Sequence, residues 1–134
     1  MDARLPRAKP RVLVVEDYED LVYVTQVAFT HAGIDVVSAR TAGEALRVSR
    51  DMVGRGETVD CALLDLCLPD MDGLELAAAL REALGPEPRF AAYTVRVSAA
   101  DRARSLEGGF DAHFGKPTNI SALTDWIHAT ARRT

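Results

Sequence analysis

Acidic side chains follow two apolar stretches of this sequence. The first stretch, Val12 to Val15, is followed directly by Glu16 and Asp17. The second stretch, Val59 to Leu64, is followed by Asp65. Side chains that follow buried parallel strands leave the core at the sheet edge where ligands bind. Three carboxylates at such an edge repel one another unless a cation neutralises them, and a hard divalent ion such as Mg2+ prefers oxygen ligands.

A hydroxyl and an ammonium group follow two later stretches. Thr94 ends the stretch that begins at Arg89, and Lys116 comes shortly after the stretch from Phe110 to Phe114. A lysine stabilises an anionic group held beside a metal, and a hydroxyl donates a hydrogen bond to it. A carboxylate such as Asp65 can act as the nucleophile and form an acyl phosphate. Together these side chains predict a phosphoryl-transfer site that uses Mg2+.

The elements that position these side chains alternate along the chain. Apolar runs predict strands over 12–15, 34–39, 59–65, 89–94 and 110–114. Helical spacing and stop signals predict helices over about 21–32, 41–52, 74–84, 99–107 and 119–131. The second helix is expected to open with a capping box from Thr41 to Glu44. Five alternations predict a doubly wound parallel sheet with helices on both faces and right-handed crossovers. The isomer of the bond before Pro117 stays open.

Length and composition limit the class of protein. A chain of 134 residues fits one domain, which we place at 11–134 behind a flexible basic arm at 1–10. The net charge of −4 gives no electrostatic reason to expect a nucleic-acid partner. No apolar run approaches the roughly 20 residues of a membrane span, and the start does not resemble a secretory signal. Cys61 and Cys67 are too close along one strand and its loop to favour a mutual disulfide, so we expect a cytoplasmic protein.

Three segments, residues 14–17 (VVED), 64–73 (LDLCLPDMDG) and 109–117 (GFDAHFGKP), follow one another in this order at compatible distances. On these segments the chain resembles, from about Arg11 to Arg133, the receiver domains of bacterial two-component response regulators. It implies an α/β fold of the flavodoxin-like type, in which a doubly wound five-stranded parallel sheet has the order 2-1-3-4-5 and five helices flank it. In folds of this type, ligands bind at the carboxyl ends of the parallel strands.

The resemblance also implies roles for individual residues. Asp65 is the expected phospho-acceptor, taking the phosphoryl group from a phosphohistidine on a sensor histidine kinase or a histidine phosphotransfer protein. Asp17 and Asp65 are expected to hold Mg2+ directly, while Glu16 acts through water. Cys67 is expected to offer its backbone carbonyl, and not its thiol, to the ion. Lys116 is expected to pair with the phosphoryl group.

Three positions in the expected switch depart from the family pattern or leave a choice. The switch hydroxyl lies about 22 residues before the lysine in the family, which favours Thr94 (116 − 94 = 22) over Ser98 (116 − 98 = 18). The small residue usual after that hydroxyl is Val95 here, whose bulk could restrict the loop. The switch aromatic falls on His113, a planar ring that titrates near neutrality, although a half-buried packing role is the alternative.

These expectations define two functions. The first is a switch that catalyses its own phosphorylation and slow dephosphorylation and has no other enzymatic activity. The alternative is a phosphorylation-independent pseudo-receiver that only binds a partner, with Val95 as its main support. We expect no attached output domain, so the chain is a stand-alone regulator, a phosphorelay intermediate or a receiver excised from a hybrid kinase. Its expected downstream partner is an unidentified protein, and no membrane partner is expected. The expected oligomeric state is a monomer or a phosphorylation-dependent dimer.

Overall fold

The computed structural model describes residues 9–131, so most of the predicted arm at 1–10 lies outside the described residues. Five strands and five helices alternate along this part of the chain. The strands are β1 (Arg11–Val15), β2 (Asp35–Ala39), β3 (Cys61–Leu64), β4 (Arg89–Thr94) and β5 (Ala112–Gly115). The helices are α1 (Glu19–His31), α2 (Ala42–Gly54), α3 (Gly73–Leu84), α4 (Ala99–Glu107) and α5 (Ile120–Ala131).

The strands form one parallel sheet in the order β2-β1-β3-β4-β5, which confirms the predicted fold. Val15 pairs with Leu64 on the neighbouring strand, and Leu64 pairs in turn with Ala92. At the far side Thr94 pairs with Gly115. Because all strands run in the same direction, the residues that follow β1, β3, β4 and β5 meet at one edge of the sheet.

Apolar side chains cover both faces of this sheet. Successive residues of a strand point to opposite faces, so Leu13 and Leu64 belong to one core while Val12 and Leu63 belong to the other. Helices α2 and α3 contribute to the first core through Met52, Leu76 and Leu80. Helices α1 and α5 contribute to the second through Phe29, Leu123 and Ile127. Burial on both faces explains why β1 and β3 are continuous apolar runs without alternation.

Two strands begin two residues later than the hydrophobic pattern predicts. Strand β3 begins at Cys61 and not at Val59, and β5 begins at Ala112 and not at Phe110. Both Val59 and Phe110 are nevertheless buried, and the Phe110 ring meets Phe90 edge-on with centroids 6.4 Å apart. Their hydrophobicity therefore reports burial at a loop that enters the core, which a single apolar run does not distinguish from strand pairing.

The predicted capping box of α2 forms only in part. The Thr41 hydroxyl accepts a hydrogen bond from the Glu44 backbone N–H at 3.1 Å, as predicted. The Glu44 carboxylate, however, accepts from the backbone N–H of Arg40 at 2.8 Å, one residue before the expected donor. A complete capping box occurs instead at α4, between Ser98 and Asp101. The Lys116–Pro117 peptide bond, left open by the sequence, is cis.

Candidate functional site

Three carboxylates meet at the sheet edge. Glu16 and Asp17 follow β1, Asp65 follows β3, and one oxygen from each lies within 4.8 Å of the others. Glu16 and Asp65 are buried, with 3% and 7% of their surface exposed, whereas Asp17 is open to solvent. The donor set consists only of carboxylate oxygens and is accessible from one side. Such a cluster fits a hard divalent cation that keeps part of its water shell.

An ammonium group neutralises part of this cluster. The Lys116 Nζ atom donates hydrogen bonds to Asp65 Oδ2, at 3.0 Å, and to Glu16 Oε1. The backbone N–H of Lys116 donates to the Thr94 carbonyl at 2.8 Å, which anchors the residue to the end of β4. Its ammonium also lies 5.3 Å from the centre of the Tyr93 ring. The structure therefore brings Lys116 to the acids from a distant part of the chain.

The charges at this edge perturb one another. Burial raises the pKa of the Glu16 carboxyl and outweighs the opposing hydrogen bonds from Lys116 and the Tyr18 backbone N–H. Burial alone would lower the pKa of the Lys116 ammonium, but its hydrogen bonds to Glu16 and Asp65 outweigh that effect and raise the pKa. Lys116 thus stays charged, while Glu16 is protonated more easily than an exposed glutamate. A divalent cation would favour the ionised form of Glu16 and reverse its shift.

The loop after β3 holds Asp65 from the other side. The backbone N–H of Cys67 donates to Asp65 Oδ1 at 3.0 Å. The loop closes through an antiparallel bridge between Cys67 and Asp72, and the Gly73 N–H donates to the Leu66 carbonyl at 3.1 Å. Both carboxylate oxygens of Asp65 are therefore oriented, one by this loop and one by Lys116. The Cys67 thiol is exposed and free, and Cys61 is buried and free.

Gly73 is required by close packing in this loop. A Cβ atom at position 73 would lie 2.6 Å from the Leu66 Cα and 2.8 Å from the Asp65 carbonyl oxygen. Both contacts are with backbone, which cannot rotate away as a side chain can. Any other residue here would displace the segment that carries Asp65.

Asp70 supports the same loop, a role that sequence reasoning missed. Its carboxylate accepts hydrogen bonds from the backbone N–H groups of Ala42, at 2.9 Å, and Gly43, at 3.0 Å. These two N–H groups open α2, and their hydrogen bonds lower the pKa of Asp70. An acid near a loop proline looks like an ordinary turn residue in the sequence. The preference of helix N-termini for carboxylates was a usable signal, but it required knowing that this loop meets α2.

The two candidate switch hydroxyls have different surroundings. Thr94 is fully buried at the end of β4, and its Oγ1 atom accepts from the backbone N–H of Arg96 at 3.3 Å. The Ser98 hydroxyl accepts from the backbone N–H of Asp101 and caps α4. Thr94 therefore lies on the edge that carries Lys116, whereas Ser98 is engaged in helix capping. The choice of Thr94 as the switch hydroxyl stays a prediction.

His113 is half-buried and held at both ring nitrogens. Its Nδ1 atom lies 2.7 Å from the Ser105 hydroxyl of α4, and its Nε2 atom lies 2.8 Å from the Arg96 carbonyl. The Arg96 side chain extends toward the loop after β3, where its Nε donates to the Cys67 sulfur at 2.8 Å. Val95 is 66% exposed, so its bulk is directed largely into solvent. Sequence reasoning named His113 and Val95 but neither Arg96 nor Ser105.

Comparison with known proteins places this chain among signalling domains. The family model described as "Response regulator receiver domain" matches residues 12–128. The transcriptional regulatory protein PrrA of Mycobacterium tuberculosis is 32% identical over 124 residues, which cover 92% of this chain and 51% of PrrA. This chain therefore spans about half the length of the curated relatives it matches. No helix between residues 9 and 131 has the length and apolar character that crossing a bilayer requires.

Solved structures agree with this similarity. A CheY-like response regulator receiver domain protein from Methanospirillum hungatei is 31% identical, has a TM-score of 0.81, and the match covers 92% of this chain and 94% of that one. A response regulator from Burkholderia pseudomallei, solved with a phosphorylated aspartic acid, a calcium ion and citrate, has a TM-score of 0.78. At 24% identity, with 92% of this chain and 69% of that chain covered, it supports the fold alone.

Proposed function

Because this chain belongs to the response regulator receiver domain family, we propose that it is a phosphorylation switch whose acceptor is Asp65. The observation that carries this proposal is the contact of the Lys116 ammonium with Asp65 and Glu16 inside a cluster of three carboxylates. The cluster suits a divalent cation, and the ammonium suits the oxygens of a transferred phosphoryl group.

The transfer step follows from the positions of these side chains. One Asp65 oxygen attacks the phosphorus of a phosphohistidine while the P–N bond breaks, and the electron pair of that bond leaves with the imidazole. The products are an acyl phosphate on Asp65 and a free histidine on the donor. The hydrogen bond from Cys67 N–H to Oδ1 fixes the rotation of the acceptor carboxylate. Lys116 neutralises charge on the phosphoryl oxygens, as this reaction class requires.

The proposed metal is Mg2+, held directly by Asp17 and Asp65, through water by Glu16, and by the backbone carbonyl of Cys67. When bound, the ion supplies charge neutralisation for the incoming phosphoryl group and orients it toward Asp65. The chain's own contribution is the fixed loop that Gly73 closes. That loop holds the Asp65 and Cys67 segment against the end of β1.

The proposed response to phosphorylation passes through Thr94 and His113. The Thr94 hydroxyl would turn toward the phosphoryl group, and His113 would be favoured in its inward position, which reshapes the face of α4, β5 and α5. A swing from 1:99 to 99:1 needs about 5.5 kcal/mol of differential interaction. Charge-assisted hydrogen bonds from Lys116 and Thr94 to the phosphoryl group can supply much of that.

The proposed partners are a sensor histidine kinase or histidine phosphotransfer protein upstream and an unidentified protein downstream. The curated relatives are transcriptional regulators about twice as long as the matched region. The match therefore concerns the part of those relatives that resembles a receiver, and our proposal concerns the corresponding domain here. We place it in the cytoplasm because both cysteines are free thiols, in keeping with a reducing compartment.

A pseudo-receiver without phosphotransfer is the competing function. Its main support was Val95, but this side chain is 66% exposed and so is directed largely into solvent. The acids and the lysine required for transfer are present together at one edge. These two observations favour the switch.

Labelling with a small-molecule phosphodonor tests the proposal. The native chain should gain one phosphoryl group when acetyl phosphate and Mg2+ are supplied, and should lose it slowly afterwards. The variant Asp65→Asn should remain unlabelled, whereas Asp20→Asn, which changes an exposed acid of α1, should be labelled normally. Intact-protein mass spectrometry gives the readout. Continued labelling of Asp65→Asn would refute the assigned acceptor, and a native chain that never labels would favour the pseudo-receiver.

A further inference from the structure

Ser105 is the buried residue of an otherwise solvated helix. Most residues of α4 are exposed, and Ser105 is the residue of this helix that is fully buried. Its hydroxyl donates to the Arg102 carbonyl at 3.0 Å and lies 2.7 Å from Nδ1 of His113. A polar group at the centre of the helix contact with β5 indicates a specific hydrogen-bonding role, because an apolar residue would pack there without needing a partner.

On the opposite side of the His113 ring, the contact of Nε2 determines that this nitrogen carries a proton. Nε2 lies 2.8 Å from the backbone carbonyl of Arg96. A carbonyl oxygen only accepts hydrogen bonds, so Nε2 must carry a hydrogen in either protonation state of the ring. The ring is thus held between α4 on one side and the loop between β4 and α4 on the other.

Counting donors shows how protonation affects this contact. In neutral His113 the Nδ1 atom is an acceptor, so the single hydrogen of the Ser105 hydroxyl must choose between Nδ1 and the Arg102 carbonyl. In the imidazolium, Nδ1 donates to the Ser105 oxygen, and the hydroxyl hydrogen remains available for Arg102. The charged ring therefore satisfies all three contacts at once, and hydrogen bonds to a charged group are the stronger ones.

Several charged side chains lie on the elements around the His113 ring. The Arg102 side chain donates from Nη1 to the His113 carbonyl at 3.4 Å. It opposes a second positive charge, but it is exposed and therefore screened by solvent. Tyr93 of the neighbouring strand faces the other core. The remaining charged side chains on the adjoining elements are Arg89, Arg96, Asp101, Arg104, Glu107, Asp111 and Lys116.

Arg96 connects this ring to the proposed phosphorylation site. Its backbone N–H donates to the Thr94 hydroxyl oxygen, and its carbonyl receives the hydrogen bond from His113. Thr94 and His113 therefore both bind the backbone of Arg96, so a movement of either side chain affects the same loop residue. Such a shared element can bias both positions together.

We propose that Ser105 is a positioning residue of the switch, which together with the Arg96 carbonyl holds the His113 ring in the half-buried position observed in the structure. Protonation of His113 and phosphorylation of Asp65 then favour this same position. This inference rests on the proposed function. Coupling between two binding events is reciprocal, so occupancy of the phosphoryl site must make His113 easier to protonate.

NMR of the histidine rings tests the coupling directly. The chain contains His31, His113 and His128, which His→Gln variants assign. Ring shifts are followed against pH in the native chain, with Mg2+ alone and with Mg2+ plus beryllofluoride as the phosphoryl analogue. We expect beryllofluoride to raise the His113 titration midpoint by at least about 0.7 pH units, the fivefold lower end of typical coupling factors. His128, which contacts the Ala32 carbonyl at the end of α1, is the internal control and should not shift.

Two variants separate the role of Ser105 from a general effect on folding. Ser105→Ala should reduce the beryllofluoride-induced shift of His113 to less than about twofold in proton affinity, a small fraction of typical coupling. It should leave the His128 titration and the beryllofluoride affinity at pH 8 in place. His113→Phe keeps a planar ring but removes the titrating group. Its affinity for beryllofluoride should therefore change with pH only through the carboxylates of the acidic site.

The outcomes distinguish this inference from the proposed function. If beryllofluoride does not bind the native chain, the proposed function fails, and the coupling fails with it. If beryllofluoride binds and the His113 midpoint stays unchanged, the proposed function survives and this inference is overturned. An unchanged shift in Ser105→Ala would equally overturn the positioning role of that residue.

Discussion

Replacing Lys116 with methionine should destabilise the chain in a manner that depends on pH and on divalent cations. Lys116 contacts Asp65 and Glu16, and the exposed fractions of the three side chains are 14%, 9% and 5%. Removing one partner of a buried ion pair costs about 3–5 kcal/mol. Solvent reaches this cluster through exposed Asp17, so the effect should be smaller than for a fully buried pair. We expect the free energy of unfolding to fall by about 2–3 kcal/mol at neutral pH without metal.

The sign of the pH dependence follows from Glu16. Burial already raises the pKa of this carboxyl above its ordinary value, and removing Lys116 takes away the largest opposing effect. A carboxyl whose folded pKa exceeds its unfolded pKa favours the folded state when protonated, and that contribution is lost as pH rises through the folded value. The loss in Lys116→Met should therefore be smallest at acid pH and largest above neutrality. Mg2+ should restore part of it by taking the place of the ammonium charge.

Urea unfolding followed by the fluorescence of Trp126, the single tryptophan, measures this effect. Native and variant chains are compared at about pH 5 and pH 8, with EDTA and with Mg2+, to span the titration of a raised carboxyl. Arg55→Met is the control, because the Arg55–Glu57 pair is 61% and 38% exposed and should contribute less than about 1 kcal/mol. A loss of stability that is equal at both pH values, or that Mg2+ leaves unchanged, would refute the electrostatic account of the site.

Three further substitutions test the surroundings of the site. Gly73→Ala should destabilise by about 2–3 kcal/mol, because its Cβ meets backbone at 2.6 Å, and should weaken Mg2+ binding; urea unfolding that matches the native chain would contradict the contact. Glu16→Gln leaves the Lys116–Asp65 pair intact and should raise the metal-free melting temperature by a few degrees while reducing Mg2+ affinity at least about tenfold, measured by calorimetry. Asp70→Asn should lower stability at neutral pH but not near pH 2. The pKa of Asp70 is lower in the folded state than in the unfolded state, so its ionised carboxylate stabilises the fold above the unfolded-state pKa, and this stabilisation is lost as the pH falls; a loss that persists in acid would exclude this explanation.

The central part of the fold could be predicted from the sequence because local and global preferences agree there. Strands β1 and β3 are continuous apolar runs that end in acids, which marks both their burial on two faces and the edge where they end. Those features, together with regular alternation of strand and helix, also placed Glu16, Asp65 and Lys116 at one edge. The order of the strands came from family resemblance and not from the pattern, since alternation alone permits other doubly wound orders.

The supporting contacts could not be predicted because they join segments that are distant along the chain. Asp70 caps a helix 28 residues away, and Ser105 meets His113 only after α4 has packed against β5. A side chain's type tells what it can bond but not which partner the fold will bring near. The capping box at Thr41 formed only in part, because the Glu44 carboxylate accepts from the backbone N–H of Arg40 and not from that of Thr41.

The energetics of this edge favour a switch over a passive binding module. Two hydrophobic cores stabilise the sheet. At its edge, the buried carboxylates of Glu16 and Asp65 lie beside that of Asp17, and the Lys116 ammonium contacts the two buried ones. Replacing buried charges by neutral groups of similar shape is often neutral or stabilising, so a protein that only bound a partner would gain stability by losing them. A cation bound among these carboxylates would reduce their repulsion, which would give a bound ligand a means of changing the equilibrium. A ligand shifts a conformational balance only by as much as it interacts differently with the two states, and in the proposed switch this cluster would provide that difference.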